Sequence, residues 1–173
     1  MPPEVPHDYA FRPLTGKDMK LLARWLAEPH VAAWWGDKAS ELEGIGSHID
    51  SISVEPFIIE LDGRPIGYIQ SYDPHLEDEN PYQGQPSGTL GIDQFIGEPD
   101  LIGKGHGTRL IGAFLEMLFE EGAPRVIVDP DPANAAAIRA YEKAGFRPIG
   151  RRAGEHGEVL LMAIDNDDME EEP

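Results

Sequence analysis

The spacing of apolar positions changes several times along the chain, and each change predicts an element. Residues 9–14 read as a first strand, and Thr15 with Asp18 three residues on reads as a helix start. Leu21, Leu22, Trp25 and Leu26 then share one helical face. Pro29 closes that helix, residues 31–35 predict a second short helix or turn, and residues 41–53 predict a weaker helix. Two apolar runs, 55–61 and 64–71, flank Asp62-Gly63, a pair that predicts a tight hairpin. Residues 73–87 are acidic, carry Pro and Gly, and show no periodicity, which predicts a functional loop rather than a connector.

The second half alternates more regularly. Residues 89–96 form a strand pattern with Leu90, Ile92 and Ile96 on one face and Gly91, Asp93 and Phe95 on the other. Glycines 103, 105 and 107 follow, and then a helix whose Leu110, Ile111, Phe114, Leu115, Leu118 and Phe119 make a core-facing stripe. Residues 125–128 predict a short buried strand, 133–143 a helix ending at Gly145, and 146–151 and 158–164 two last strands. Strands followed by β-α-β-α-β make a mixed α/β fold.

Composition narrows the class. At 173 residues and 40% hydrophobic content the chain is expected to be one domain with a real core, over residues 1–164. Residues 165–173 are acidic and read as a disordered tail. No apolar run approaches the ~20 residues that cross a bilayer, and Met1-Pro2-Pro3-Glu4 lacks a leader pattern, so the expectation is a soluble cytoplasmic protein without a membrane role. There is no cysteine, which excludes a disulfide framework, a thiolate nucleophile and a zinc–cysteine site. The net charge of -18 repels nucleic acid and attracts small polycations. His7, His30, His48, His75, His106 and His156 are scattered without ligand spacing, and no metal is expected.

Chemistry concentrates in the glycine run Gly103-Lys104-Gly105-His106-Gly107-Thr108. Alternating glycines let the backbone approach a ligand closely, and the amides at the head of the following helix suit a pyrophosphate. A P-loop would close on Gly-Lys-Ser/Thr, and here Lys104 stands between glycines instead. Asp93 projects from its strand opposite the leucine and isoleucine face. Asp129 follows Val126-Ile127-Val128 directly, at a strand's carboxyl end, where α/β folds bind ligands or where a turn is capped. Trp34, Trp35 and Tyr72 can build an aromatic wall for a sugar ring or a cation, or serve the core.

This order of elements, with Ile102 to Gly107 against the pattern Arg/Gln-x-x-Gly-x-Gly/Ala, resembles the GNAT N-acetyltransferase superfamily, although Ile102 stands where Arg or Gln is usual. The block from Asn134 to Phe146 is similar to the superfamily's late motif, Asn-x-x-Ala-x-x-x-Tyr-x-x-x-Gly-Phe. Trp34-Trp35-Gly36, the run from Pro65 to Tyr72, Gly91-Ile92-Asp93-Gln94, the glycine run and the run from Asp129 to Asn134 together resemble aminoglycoside 6'-N-acetyltransferases. That resemblance implies a single-domain, mostly antiparallel central sheet flanked by helices. It also implies acetyl-CoA as co-substrate and a small cationic amine as acceptor, in a monomer or homodimer.

The residue roles follow from the same resemblance. Asp93 would bind the reacting ammonium and help remove its proton; Tyr141 would return a proton to the departing thiolate. Gln94, Phe95 and Ile96 would offer backbone groups to pantetheine, and Asn134 would bind the same arm or else cap its helix. Gly103, Lys104, Gly105, His106, Gly107 and Thr108 would hold the pyrophosphate, and Trp34, Trp35, Tyr72, Asp93 and Asp129 the acceptor. With no cysteine and no serine in a Gly-x-Ser-x-Gly elbow, direct transfer is the simpler course. Two alternatives stay open: an acyltransferase for N6-hydroxylysine in siderophore assembly, and a non-catalytic acyl-CoA-binding module.

Overall fold

The computed structural model describes residues 8–154 and 157–167. Along the chain come β1 (Tyr9–Pro13), α1 (Met19–Leu26), α2 (Pro29–Trp35), α3 (Lys38–Ser47), β2 (Val54–Leu61) and β3 (Arg64–Tyr72). They are followed by β4 (Leu90–Ile96), α4 (His106–Glu120), β5 (Arg125–Val128), α5 (Ala135–Ala144), β6 (Arg147–Gly154) and β7 (Gly157–Asp165). The strands form one sheet in the order β1-β2-β3-β4-β5-β7-β6. Every neighbouring pair is antiparallel except β4 with β5.

Local chemistry explains the boundaries. Asp62 and Gly63 both adopt positive φ (50° and 86°), the backbone a two-residue hairpin between β2 and β3 requires. Thr15 and Asp18 form a capping box ahead of α1, and Pro29 opens α2 at its first turn, where its missing N–H costs nothing. Gly145 (φ 110°) terminates α5, and the Gly145 and Phe146 amides fold back onto the helix's last carbonyls. Phe146 thereby reaches the Tyr141 ring, with centroids 5.5 Å apart.

Alternation along the strands separates two apolar layers. α1, α2 and α3 bury Leu22, Trp25, Leu26, Val31 and Ile45 against Ile58, Tyr68 and Phe95. α4 and α5 cover the opposite face, where Leu110, Phe114, Leu118 and Tyr141 meet Ile59, Ile69, Ile92 and Val126. Phe114 takes Phe11 and Phe57 edge-on at 4.9 and 5.7 Å, contacts that add about 0.5–1.5 kcal/mol each beyond burial.

Several expectations shift. The third helix runs from Lys38 to Ser47 rather than over 41–53, because Asp37 caps it through the Ser40 amide and β2 already begins at Val54. α5 starts at Ala135, since Asp131 accepts the Ala133 amide in a turn before the helix. Asp165 is no tail residue: it ends β7 and pairs with Arg125 and Arg147 at 2.7 and 2.8 Å, and Asn166 beyond it is buried. Residues 168–173 lie outside the described residues. No helix among those described is long and apolar enough to cross a membrane.

Candidate active site

The parallel register of β4 with β5 covers Leu90↔Val126 and Gly91↔Ile127 and goes no further. β4 runs on to Ile96 without its neighbour, so the sheet parts beside Ile92 to Ile96. At that parting both faces become accessible to one ligand. Asp93 stands on the α1–α3 side and Gln94 on the α4–α5 side, and both line one cleft of about 660 Å³. The cleft also takes in Trp34, Trp35, Tyr72, Asp129, Asn134 and Tyr141.

Carboxylates dominate its wall. Glu41 of α3, Glu77 and Asp78 of the loop, Asp93, Asp129, Asp131 and Glu158 all face in, with no lysine or arginine among the described lining residues. Burial and the neighbouring Asp129 push the Asp93 carboxyl up to about 8, with Glu41 and Glu77 adding to the effect and a Gln70 hydrogen bond opposing it. Gln70 Nε2 donates to Asp93 Oδ2 at 3.0 Å. Such a carboxyl is matched to a proton exchange with an ammonium near neutral pH.

On the other side of the gap, Gln94 Nε2 donates to the Tyr141 hydroxyl at 2.7 Å. Burial drives the Tyr141 phenol well above its ordinary range, so it stays protonated and its O–H remains available to donate. Gln94 Oε1 is buried with no hydrogen-bond partner. That unfilled acceptor at the parted strands fits an amide N–H such as the pantetheine arm carries.

The aromatic residues divide. Trp34 is 49% exposed at the cleft. Trp35 reaches the cleft too, yet its ring packs edge-on against Tyr68 and Phe95 (6.2 and 5.0 Å) and serves the core as well. Tyr72 is buried along the cleft floor opposite Gly91. Asn134 caps α5, accepting from the Ala137 amide at 3.2 Å, while lining the cleft.

The glycine run stands apart from the acceptor cleft, at the head of α4. Gly103 and Gly105 hold φ of 77° and 84°, and Gly105 is the cap of the helix, so the run needs glycine where the backbone turns left-handed. Lys104 is exposed and Thr108 half-buried there. One side chain differs from expectation. The His106 imidazole turns inward, is buried, and bonds the Tyr9 hydroxyl at 2.6 Å, so only its backbone belongs to the loop surface. The Phe95 ring is in the core, against Trp25 and Tyr68, and Ile96 packs on the α4 side, which leaves their expected part to the backbone.

Four further cleft or cleft-bound residues escape the sequence reading. Gln70 and Tyr82 touch Asp93 and Asp129, the Tyr82 hydroxyl donating to Asp129 Oδ2 at 2.6 Å. Tyr82 is buried against Ile127 and Leu161, which pins the acidic loop to the sheet. His48 and Glu41 enter from α3 and its end; burial lowers the His48 pKa and keeps its ring neutral. Gln70 alone carried a signal, since it shares a strand face with Tyr72. Among the described residues no group of three or more His, Asp or Glu is arranged to hold a metal ion.

Comparison with known proteins bears on this geometry. Residues 15–153 match the acetyltransferase (GNAT) domain family. An aminoglycoside N(6')-acetyltransferase type 1 from Klebsiella pneumoniae is 35% identical over 165 residues, covering 87% of this chain and 80% of the relative. The lysine N-acyltransferase MbtK of Mycolicibacterium paratuberculosis is 27% identical over 171 residues, 94% of this chain and 77% of its own length. The crystal structure of aminoglycoside acetyltransferase AAC(6')-Ib in complex with coenzyme A and kanamycin superposes with a TM-score of 0.85 at 34% identity, covering 94% of this chain and 98% of that one.

Proposed function

Because the chain belongs to the GNAT acetyltransferase family, we propose that it moves the acetyl group of acetyl-CoA directly onto a primary amine of an aminoglycoside-like polycation, at the 6' position. The observation that carries this reading is the cleft itself: seven carboxylates and no lysine or arginine among its described lining residues, with Asp93 and Tyr141 on either side of the parted strands. The 35% identical Klebsiella pneumoniae enzyme and the kanamycin-bound neighbour support it.

In this reading each residue has a defined task. Asp129, with Glu41 and Glu77, draws the cation in; Trp34 and Tyr72 offer ring faces to the sugar. The amine loses a proton to Asp93 and attacks the thioester carbonyl carbon while the carbon–sulfur bond breaks. The departing sulfur takes its proton from the Tyr141 hydroxyl, and the second N–H proton, which the newly acylated nitrogen sheds, restores that hydroxyl. Gln94 steadies that hydroxyl and offers Oε1 to pantetheine, alongside the Phe95 and Ile96 backbone and Asn134. Gly103, Lys104, Gly105, Gly107 and Thr108, with the His106 amide, carry the pyrophosphate. The enzyme acts in the cytoplasm as a monomer or homodimer, with β7 through Asp165 as part of its catalytic domain.

A second reading, acylation of N6-hydroxylysine, is favoured by His48, a neutral imidazole in the same cleft as Asp93, and by the lysine N-acyltransferase relative. One assay separates the readings: thiol release from acetyl-CoA with kanamycin, with N6-hydroxylysine, and with no acceptor. Release with kanamycin supports acetylation of a polycation. Release with hydroxylysine alone overturns it, and thermal stabilisation by coenzyme A without release with any acceptor points to a binding module.

A further inference from the structure

Three side chains on two adjacent strands form a chain that ends on Asp93. Tyr68 and Gln70 lie two apart on β3, on one face, and Gln70 is the register partner of Asp93 on β4. The Tyr68 hydroxyl donates to Gln70 Oε1 at 2.5 Å, and Gln70 Nε2 donates to Asp93 Oδ2 at 3.0 Å. Tyr68 is fully buried, its ring packed against those of Trp35 and Phe95, and it is not among the residues that line the cleft.

A primary amide has a donor end and an acceptor end of nearly the same shape, so its surroundings alone decide which way it faces. Burial holds the Tyr68 phenol far above its ordinary range, so its O–H persists at every working pH. With that O–H on Oε1, the NH₂ end must face Asp93, and an N–H favours a carboxylate over a carboxylic acid.

We propose that Tyr68 is a positioning residue for the transfer reaction: by fixing the Gln70 amide, it holds Asp93 as an oriented acceptor for the proton of the incoming amine. This rests on the acetyl-transfer reading, with Asp93 taking that proton. The other groups around Asp93 push it the opposite way. Asp129 after β5, Glu41 of α3 and Glu77 of the loop all disfavour a second negative charge. Tyr72 of β3 and Tyr141 of α5 are kept protonated by burial, and His48 is kept neutral. The Gln70 N–H works against burial and the three carboxylates, and Tyr68 is what aims it.

Tyr68→Phe keeps the ring and its aromatic neighbours but frees the amide to turn its carbonyl toward Asp93, which favours the protonated acid. The Asp93 carboxyl midpoint, read by carbon-13 NMR on the protein alone, is expected to rise by about one unit. With saturating acetyl-CoA and kanamycin, kcat falls about tenfold at pH 7, and the deficit shrinks below about twofold near pH 9.5, where Asp93 ionises in both proteins. KM for acetyl-CoA stays unchanged. Gln70→Leu also raises the midpoint, and adding Tyr68→Phe to it changes nothing more, because both act through one chain.

An unmoved midpoint in Tyr68→Phe, additive shifts in the double variant, or a deficit equal at every pH each overturns the proposal. A wild-type protein that acetylates no amine, while the midpoint still moves in Tyr68→Phe, overturns the transferase reading and leaves the amide lock standing.

Discussion

Gln94 and Tyr141 join β4 to α5 across the parted strands, the Gln94 amide donating to the phenol at 2.7 Å. The phenol's oxygen is thereby used as an acceptor, and its own proton is left for a third partner. Tyr141→Phe removes that proton while keeping the ring against Phe146. We expect kcat to fall about ten- to a hundredfold, at or below the low end of the usual loss for a general acid, because water can supply the proton in its place. Coenzyme A affinity by calorimetry should hold. Burial keeps the phenol protonated, so the wild-type rate should show no descending limb from this group below the alkaline range.

Asp93→Asn tests the proton acceptor. Turnover should drop about a hundredfold or more, with coenzyme A affinity unchanged. A large loss of coenzyme A binding would show that Asp93 serves the fold or the thioester substrate instead. Stability gives a second readout with a definite sign. The folded-state pKa of Asp93 is raised from 3.8 to about 8, so the native protein binds the extra proton between those values. Wild-type stability therefore declines as pH rises through that window. In Asp93→Asn that decline is absent, and at pH 9 the variant should melt about 2–5 °C higher than wild type.

Asp129→Asn separates recruitment from proton transfer. Asp129 is the nearby charge that most strongly raises the Asp93 pKa. Removing it moves the acidic limb of kcat/KM toward lower pH, the reverse of the shift expected for Tyr68→Phe. KM for kanamycin should rise about tenfold, the scale of one lost charged hydrogen bond, while KM for acetyl-CoA stays put. Kinetics across pH 5–10 check both. An unchanged limb would mean that Asp93 and Asp129 do not sense one another.

Much of this architecture is legible in the chain. The hairpin at Asp62-Gly63, the two faces of residues 89–96 and the stripe from Leu110 to Phe119 each carry a local period or turn signal, and the structure follows them. Asp93 and Asp129 were legible as candidates because strand alternation and strand ends place side chains without tertiary information, and Tyr141 through the resemblance of the block from Asn134 to Phe146. Tyr68 and Tyr82 were not legible, and Gln70 only through the strand face it shares with Tyr72, since their importance comes from register and long-range contact. Gln70 meets Asp93 only because β3 and β4 align those residues, and Tyr82 meets Asp129 across 47 residues of sequence. His106 misled for the opposite reason: its place in a glycine run suggests a ligand, but the first turn of α4 faces Tyr9 of β1. Asp165 looks like the start of an acidic tail until Arg125 and Arg147 are seen beside it.

Gly91 offers a prediction in which packing alone sets the cleft's shape. It is the register partner of Tyr72, whose ring fills the space beside it. A Cβ there would stand 2.0 Å from the ring's Cζ and 2.4 Å from its hydroxyl oxygen. Backbone strain is not involved, since Gly91 does not adopt positive φ. Tyr72 is buried, and the space beside it is the cleft that it lines. Gly91→Ala should therefore destabilise the fold by about 1–3 kcal/mol, as overpacking does, and raise KM for kanamycin because the displaced ring enters the cleft. Tyr72→Leu in the Gly91→Ala background removes the clashing ring atoms and should recover most of the lost thermal stability without restoring acceptor affinity. Melting curves and acceptor KM values for the two single variants and the double separate this steric account from any general intolerance of alanine at the position: if leucine recovers no stability, the ring is not what the new methyl group meets.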